Sequence, residues 1–145
     1  MANIPKPINR KIKNNNKNAT ETCEKERGLP MIMKALFPID SFDKLEKMLI
    51  KITNLQNHAE AEKHGLAVES VFMGEVVQVL KEGNKTYETF VKELERRGVI
   101  LAVCKNAMKA FGLTEEKMVP SSQVVVSGVG ETIYKQMEGW GVYWC

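Results

Sequence analysis

Six consecutive residues two thirds of the way along the chain, Val99 to Cys104 (VILAVC), are all apolar. A strand with no polar residue on either face is typical of the interior of a parallel sheet that helices cover on both sides. Gly98 stands before the run, and the residues after Cys104 are compatible with a helix. The run therefore favours an α/β protein, and it restricts the possible folds more than any other feature of the sequence.

Strand-like and helix-like patterns alternate from Met31 onward. We predict strands over residues 31–38, 67–73, 99–104, 123–127 and 142–145. We predict helices or helical turns over residues 41–64, 76–80, 86–97, 105–111, 114–116 and 132–138, with Ser41 and Thr86 as N-caps. Strands separated by helices imply right-handed βαβ units, so the expected fold class is a three-layer α/β/α sandwich with a mainly parallel sheet of about five strands.

The charge of the chain is concentrated at its N-terminus. Residues 1–28 hold seven Lys or Arg against three Glu, although the whole chain has a net charge of only +3. This segment is rich in Asn and poor in apolar residues, so we predict a flexible basic tail at 1–28 and one folded domain at 29–145. Because the tail has no interleaved aromatic residues, binding to nucleic acid is disfavoured. The sequence shows no apolar run of membrane-spanning or secretory length, which favours a cytoplasmic location.

Cys104 is the strongest candidate for a reactive group. In parallel sheets, reactive groups gather at the carboxyl ends of the strands, and Cys104 leaves a buried strand just where a helix is predicted to begin. Backbone N–H groups at a helix start favour a thiolate, and Lys105 and Asn106 follow directly as supporting residues. The alternative is that Cys104 packs as a small apolar residue, which is common for cysteine.

Five other residues at predicted strand ends are candidates for supporting or pocket positions. Asp40 and Glu75 are placed to assist proton transfer, although an acidic residue there more often caps a helix or faces water. Gly74 lies between the second strand and Glu75. Gly128 and Gly130 follow the fourth strand and could hold an anion, but a tight turn is the favoured interpretation, since the dinucleotide-binding glycine pattern is incomplete.

The remaining cysteines are weaker candidates for a reactive group. Cys23 falls in the predicted tail, and Cys145 ends the last predicted strand, where it could act as a resolving thiol for Cys104 if their Cα atoms come within about 7 Å. No metal-ligand, phosphate-loop or Ser-His-Asp pattern is present, so we expect neither a metal nor an organic cofactor.

Several short motifs, taken in order, resemble the DsrE/DsrF-like family across residues 31–145. The motifs that carry the resemblance are Leu94 to Met108, Gly112-Leu113, Met118 to Pro120, Val125 to Val129 and Glu138 to Tyr143. The aromatic C-terminal end, Trp140 to Cys145, departs from the ending of the relatives, so the resemblance gives Cys145 no role.

The resemblance implies a compact α/β fold related to flavodoxin-like proteins and assembly as a homotrimer or homohexamer. It also implies that a cysteine after the third strand, here Cys104, carries persulfide sulfur from a donor protein to an acceptor protein. The leading hypothesis is therefore a sulfur-trafficking protein, either a carrier or a sulfurtransferase. The alternative is a non-enzymatic oligomeric module that binds a small molecule or a partner, in which Cys104 is structural.

Overall fold

A computed structural model describes residues 29–145, and the predicted tail with Cys23 lies outside these residues. The centre of the fold is a five-stranded sheet in the order β4-β3-β2-β1-β5, in which every neighbouring pair is parallel. The strands are β1 (Ile32–Ile39), β2 (Gly65–Phe72), β3 (Ile100–Cys104), β4 (Ser122–Val125) and β5 (Gly141–Val142). The predicted α/β fold class with a parallel sheet is confirmed.

Four α-helices and three 3-10 helices connect the strands. The α-helices are α1 (Leu45–Ala61), α2 (Glu88–Arg96), α3 (Lys105–Ala110) and α4 (Gly128–Met137). The 3-10 helices are Phe42–Lys44, Gly74–Leu80 and Glu115–Lys117. Among the described residues, no helix is both long enough and apolar enough to cross a membrane.

The larger core lies on the first face of the sheet. Helices α1, α2 and α3 and the 3-10 helix Gly74–Leu80 all contribute apolar side chains to it. From the strands, alternate residues such as Phe72, Leu101 and Val103 point to this face and are buried. Strands β1 to β4 therefore form three consecutive βαβ crossovers that place their helices on one side.

The second face has a much smaller core because one helix covers it. Leu36, Val71 and Ala102 form this core from three adjacent strands. Helix α4 leaves β4 at one edge of the sheet, packs across β3, β2 and β1, and leads to β5 at the opposite edge. This long return connection means that the third layer of the sandwich consists of a single ten-residue helix.

Two predicted boundaries are wrong. Helix α4 begins at Gly128 rather than Thr132, so Gly128-Val129-Gly130 is the first helical turn and not a tight turn. The Ser127 hydroxyl accepts a hydrogen bond from the Gly130 N–H at 3.1 Å, which caps the helix at this earlier point. Strand β5 has two residues, because the chain leaves the edge of β1 after Tyr143 N–H donates to the Leu36 carbonyl.

Of the two predicted N-caps, Ser41 occupies an N-cap position and Thr86 does not. Tyr87, not Thr86, occupies the N-cap position of α2. Ser41 does precede a helix, but that helix is the 3-10 turn Phe42–Lys44, and the Ser41 hydroxyl bonds the Asp43 carboxylate instead of a backbone N–H. In both cases the start of the helix is set by packing of its apolar side chains more than by a capping hydroxyl.

Candidate functional site

Cys104 is the last residue of β3 and the N-cap residue of α3. Its side chain points to the second face of the sheet, as does that of Ala102 two residues earlier, because alternate residues of a strand share a face. The residue is 7% exposed and has no disulfide partner. The predicted placement, at the end of a buried strand and the start of a helix, is what the structure shows.

Helix α4 begins directly against Cys104. A Cβ atom added at Gly128 would lie 3.4 Å from Cys104 Cβ and would overlap the side chain of Met73. Glycine at position 128 therefore allows the helix start to approach both sulfur-containing side chains. The sequence offered Gly128 as an anion-binding candidate, and its observed role is to permit this close packing.

The starts of two helices thus meet near one sulfur atom. Helix α3 follows Cys104 without an intervening residue and has no side-chain cap, while α4 starts at Gly128 on the other side. The first N–H groups of any helix lack partners inside the helix and carry partial positive charge. The starts of α3 and α4 therefore border Cys104 from two sides.

The two residues after Cys104 lie at the surface. Lys105 Nζ is 3.9 Å from Glu115 Oε1, so this ion pair directs its charge toward the 3-10 helix Glu115–Lys117. Asn106 is exposed. Their supporting roles remain predictions.

Asp40, Gly74 and Glu75 come together at the ends of β1 and β2. Glu75 Oε1 accepts a hydrogen bond from the Phe42 N–H at 3.3 Å, and Asp40 pairs with Lys44 at 3.1 Å. Gly74 has a φ of +56°, and a Cβ there would be 3.3 Å from the Asp40 carbonyl oxygen. Glu75 thus caps the start of the 3-10 helix Phe42–Lys44, whereas Asp40 forms an exposed ion pair, and the assistance of both in proton transfer stays a prediction.

A buried charged cluster on the second face was missed at the sequence level. Glu69, in the middle of β2, is 2% exposed, and its Oε2 lies 3.3 Å from Lys135 Nζ of α4. Lys135 also lies 3.9 Å from Glu131 and 4.6 Å from the centre of the Trp140 ring. Burial and the neighbouring Glu131 together raise the pKa of Glu69 to about 7, while Lys135 acts in the opposite direction.

The Glu69 cluster is separate from Cys104. In the paired strands Glu69 is opposite Ile100, four residues before Cys104, which corresponds to about 13 Å along the strand. A single sequence signal existed, since Glu69 is the only charged residue in the predicted strand 67–73. It could not be interpreted without knowing that α4 crosses this part of the sheet.

Cys145 cannot act as a resolving thiol for Cys104 within one subunit. Strands β2 and β1 separate β3 from β5, so the two residues are about 14 Å or more apart at the usual strand spacing. A disulfide needs Cα atoms within about 7 Å. Cys145 packs instead against the larger core, and burial raises the pKa of its thiol.

Metal binding has no support in the part of the chain that the structure describes. No group of three or more His, Cys, Asp or Glu side chains there is close enough to hold a metal ion. The candidate chemistry of the site therefore depends on Cys104 and its surroundings.

The parallel sheet and the cysteine at a strand end define an α/β protein with a sulfur-based candidate site. The chain belongs to the DsrE/DsrF-like family, whose model matches residues 45–143. That family is associated with sulfur relay, in which its members act with partner proteins. The sequence matches no curated protein.

Three solved structures have a similar fold. The protein of unknown function MTH1491 from Methanobacterium thermoautotrophicum is 29% identical, with a TM-score of 0.65 over 78% of this chain and 99% of that one. The conserved protein of unknown function BT1422 from Bacteroides thetaiotaomicron is 14% identical, with a TM-score of 0.59 over 77% of this chain and 94% of its own. The ychN protein from E. coli is 13% identical, with a TM-score of 0.56 over 81% of this chain and 100% of its own. The last two similarities concern the fold alone.

Proposed function

We propose that this protein carries sulfane sulfur as a persulfide on Cys104 and passes it to a partner thiol. The observation that supports this most is the position of Cys104 at the carboxyl end of β3, where the starts of α3 and α4 meet. Membership in a family associated with sulfur relay supports the same chemistry.

The proposed transfer consists of two displacements at sulfur. In the first, the Cys104 thiolate attacks the outer sulfur of a donor persulfide, the donor S–S bond breaks, and the donor leaves as a thiolate. In the second, an acceptor thiolate attacks the outer sulfur on Cys104, and Cys104 leaves as a thiolate. One sulfane sulfur moves in each step without net oxidation, so no cofactor is required.

The surroundings of Cys104 fit the anionic states that both steps need. The helix-start N–H groups are proposed to bind the negatively charged sulfur during transfer, and Lys105 and Asn106 are proposed to orient the donor. Since Cys104 is only 7% exposed, loading requires a local opening. The unbranched Met73 side chain, which lies against the start of α4, is the group best suited to move aside.

Mass spectrometry after incubation with polysulfide tests the proposal. We expect an adduct of about 32 Da on Cys104 that transfers to an added thiol and is absent in Cys104→Ser. Cys145→Ser is the matched control, because Cys145 is also a partly buried free thiol and should leave the Cys104 adduct unchanged. Absence of the adduct from the wild-type protein, or equal labelling of Cys104→Ser, would contradict the proposal.

The burial of Cys104 favours a second candidate function, a non-enzymatic binding module in which this cysteine only packs. In that case Cys104 should resist both polysulfide and iodoacetamide in the folded protein and react only after unfolding. The same samples decide between the two functions.

We also propose that the protein assembles as a homotrimer or homohexamer through α4. Large apolar side chains on the outer side of this helix and just before it are half or more exposed: Val126, Val129, Ile133 and Met137. An exposed apolar stripe of this kind is typical of a subunit contact. The cytoplasmic location expected from the sequence stays a prediction.

A further inference from the structure

We propose that an apolar groove on the first face of the sheet, beside β5, binds a small amphipathic organic anion. The groove has a volume of about 410 Å³, within the range of small-molecule sites, and lies between α1 and the edge of β1. It is on the opposite edge of the sheet from Cys104, so its occupancy is independent of the proposed sulfur transfer.

The groove has an apolar floor at the edge of the sheet. Strand β5 pairs with β1 at Ala35 and Leu36, and the floor is formed by Ala35 and Phe37, whose side chains belong to the first face. Gly141 contributes no side chain at its edge. Tyr143 closes one side, with its ring centre 5.7 Å from that of Phe37. The floor is thus apolar and partly aromatic, which suits a hydrocarbon or aromatic body.

Charge determines which class of ligand fits. The wall formed by α1 presents Lys51 and Leu55, one helical turn apart, and no acidic residue lines the groove. Lys47 lies one further turn toward the start of α1, and both Lys47 and Lys51 are close enough to Cys145 to favour its thiolate. Within residues 29–145, neither Lys47 nor Lys51 forms an ion pair. A carboxylate attached to an apolar body would complement both parts of the groove.

A nuclear magnetic resonance titration of the full chain with decanoate tests the proposal. We expect saturable shifts of the backbone amides of Ala35, Leu55 and Tyr143, with decanol binding more weakly and decyltrimethylammonium more weakly still. Ala35→Phe should abolish these shifts by filling the floor. Lys51→Glu should weaken binding about fivefold, while Lys109→Glu on α3 should leave it unchanged.

Three results would overturn the proposal. The first is the absence of shifts at the groove in a folded wild-type protein. The second is equal affinity for decanoate and decyltrimethylammonium, which would remove the role of charge. The third is a decanoate response confined to the exposed side of α4, which would assign binding to general apolar contact. If Ala35→Phe does not fold, the comparison of Lys51→Glu with Lys109→Glu still decides.

Discussion

Glu69 is a carboxyl group whose surroundings disfavour its ionised form. It is almost fully buried on the second face of the sheet, where Lys135 provides its one short ion pair and Glu131 is a direct neighbour. Burial and the second carboxylate together raise the pKa of Glu69 to about 7. The folded state therefore holds a proton on Glu69 over a pH range in which the unfolded chain has lost it.

This pKa predicts a specific dependence of stability on pH. The contribution of Glu69 is fully present below about pH 4.5, the ordinary pKa of a glutamate, and is lost as the pH rises through about 7. Ionisation of Glu69 should thus lower the free energy of unfolding by about 2 kcal/mol as the pH rises from 5 to 8. Glu69→Gln removes this titration, so urea unfolding of the variant should show a flatter pH profile than that of the wild type.

Glu93→Gln is the control for this experiment. Ion pairs with Arg96 and Arg97 hold the pKa of Glu93 at about 2, so it does not titrate between pH 5 and pH 8. The variant should change stability by a similar amount at each pH. His58 and His64 are present in all three proteins and cancel in the comparison. Parallel profiles for wild type and Glu69→Gln would contradict the argument.

The positions of individual residues were predicted correctly where they depend on neighbouring residues in the sequence. Cys104 was placed correctly because an unbroken apolar run fixes both the strand and the point where it ends. Glu69 and Lys135 belong to different elements 66 positions apart, and their contact depends on the path of α4. No periodicity in either segment could reveal that contact.

Helix α4 depends on glycine at its first position. A methyl group at residue 128 would overlap Met73 and press on Cys104, so Gly128→Ala requires either α4 or Met73 to move. We expect this change to lower the free energy of unfolding by about 1–3 kcal/mol, as for other overpacked sites. Thermal and urea unfolding measure the effect.

Gly130→Ala is the matched substitution, two residues further along α4. A Cβ there would lie 3.5 Å from Ser127 Cβ, an ordinary contact, and alanine favours helix formation. Gly130→Ala should therefore leave stability unchanged or increase it slightly. A loss equal to that of Gly128→Ala would show that the helix start, and not the approach to Met73, needs glycine.

Element boundaries were predicted less well than element types. Two glycines within three residues suggested a turn at 128–130, but the Ser127 hydroxyl and the packing of α4 on the sheet extend the helix over them. Likewise, Val142 to Cys145 has the composition of a strand, yet only two residues of β5 pair with β1. In both cases contacts with distant parts of the chain outweighed the local pattern.

At the scale of the molecule, the two faces of the sheet are unequally covered. Three α-helices lie on the first face and one on the second, and that one exposes apolar side chains outward. If α4 is the subunit contact, Ile133→Glu should place an unpaired charge there and shift the assembly toward the monomer, with at least a tenfold higher dissociation constant. Sedimentation velocity over a range of concentrations measures this.

Ile50→Glu controls for the loss of an exposed isoleucine. Ile50 on α1 is 51% exposed and Ile133 is 50% exposed, so the two changes are alike in chemistry and differ in location. The Ile50→Glu protein should retain the wild-type assembly. A monomeric wild-type protein, or equal effects of both variants, would contradict a contact through α4.

The fold class was predictable because alternating strands and helices permit few arrangements. The sheet order was not, since the sequence does not show that β5 joins the edge beside β1 rather than the edge beside β4. That order also separates Cys145, predicted as a possible resolving thiol, from Cys104 by three strand positions.

The sheet order has a consequence for biosynthesis. Strands β1 to β4 lie side by side in the order in which the ribosome makes them, so each new strand can pair with one already present. Only β5 must wait for α4 to travel back over the sheet. During translation, water therefore hydrates the Glu69 carboxylate until the last two elements emerge, and the cost of enclosing this charge falls on the final step of folding.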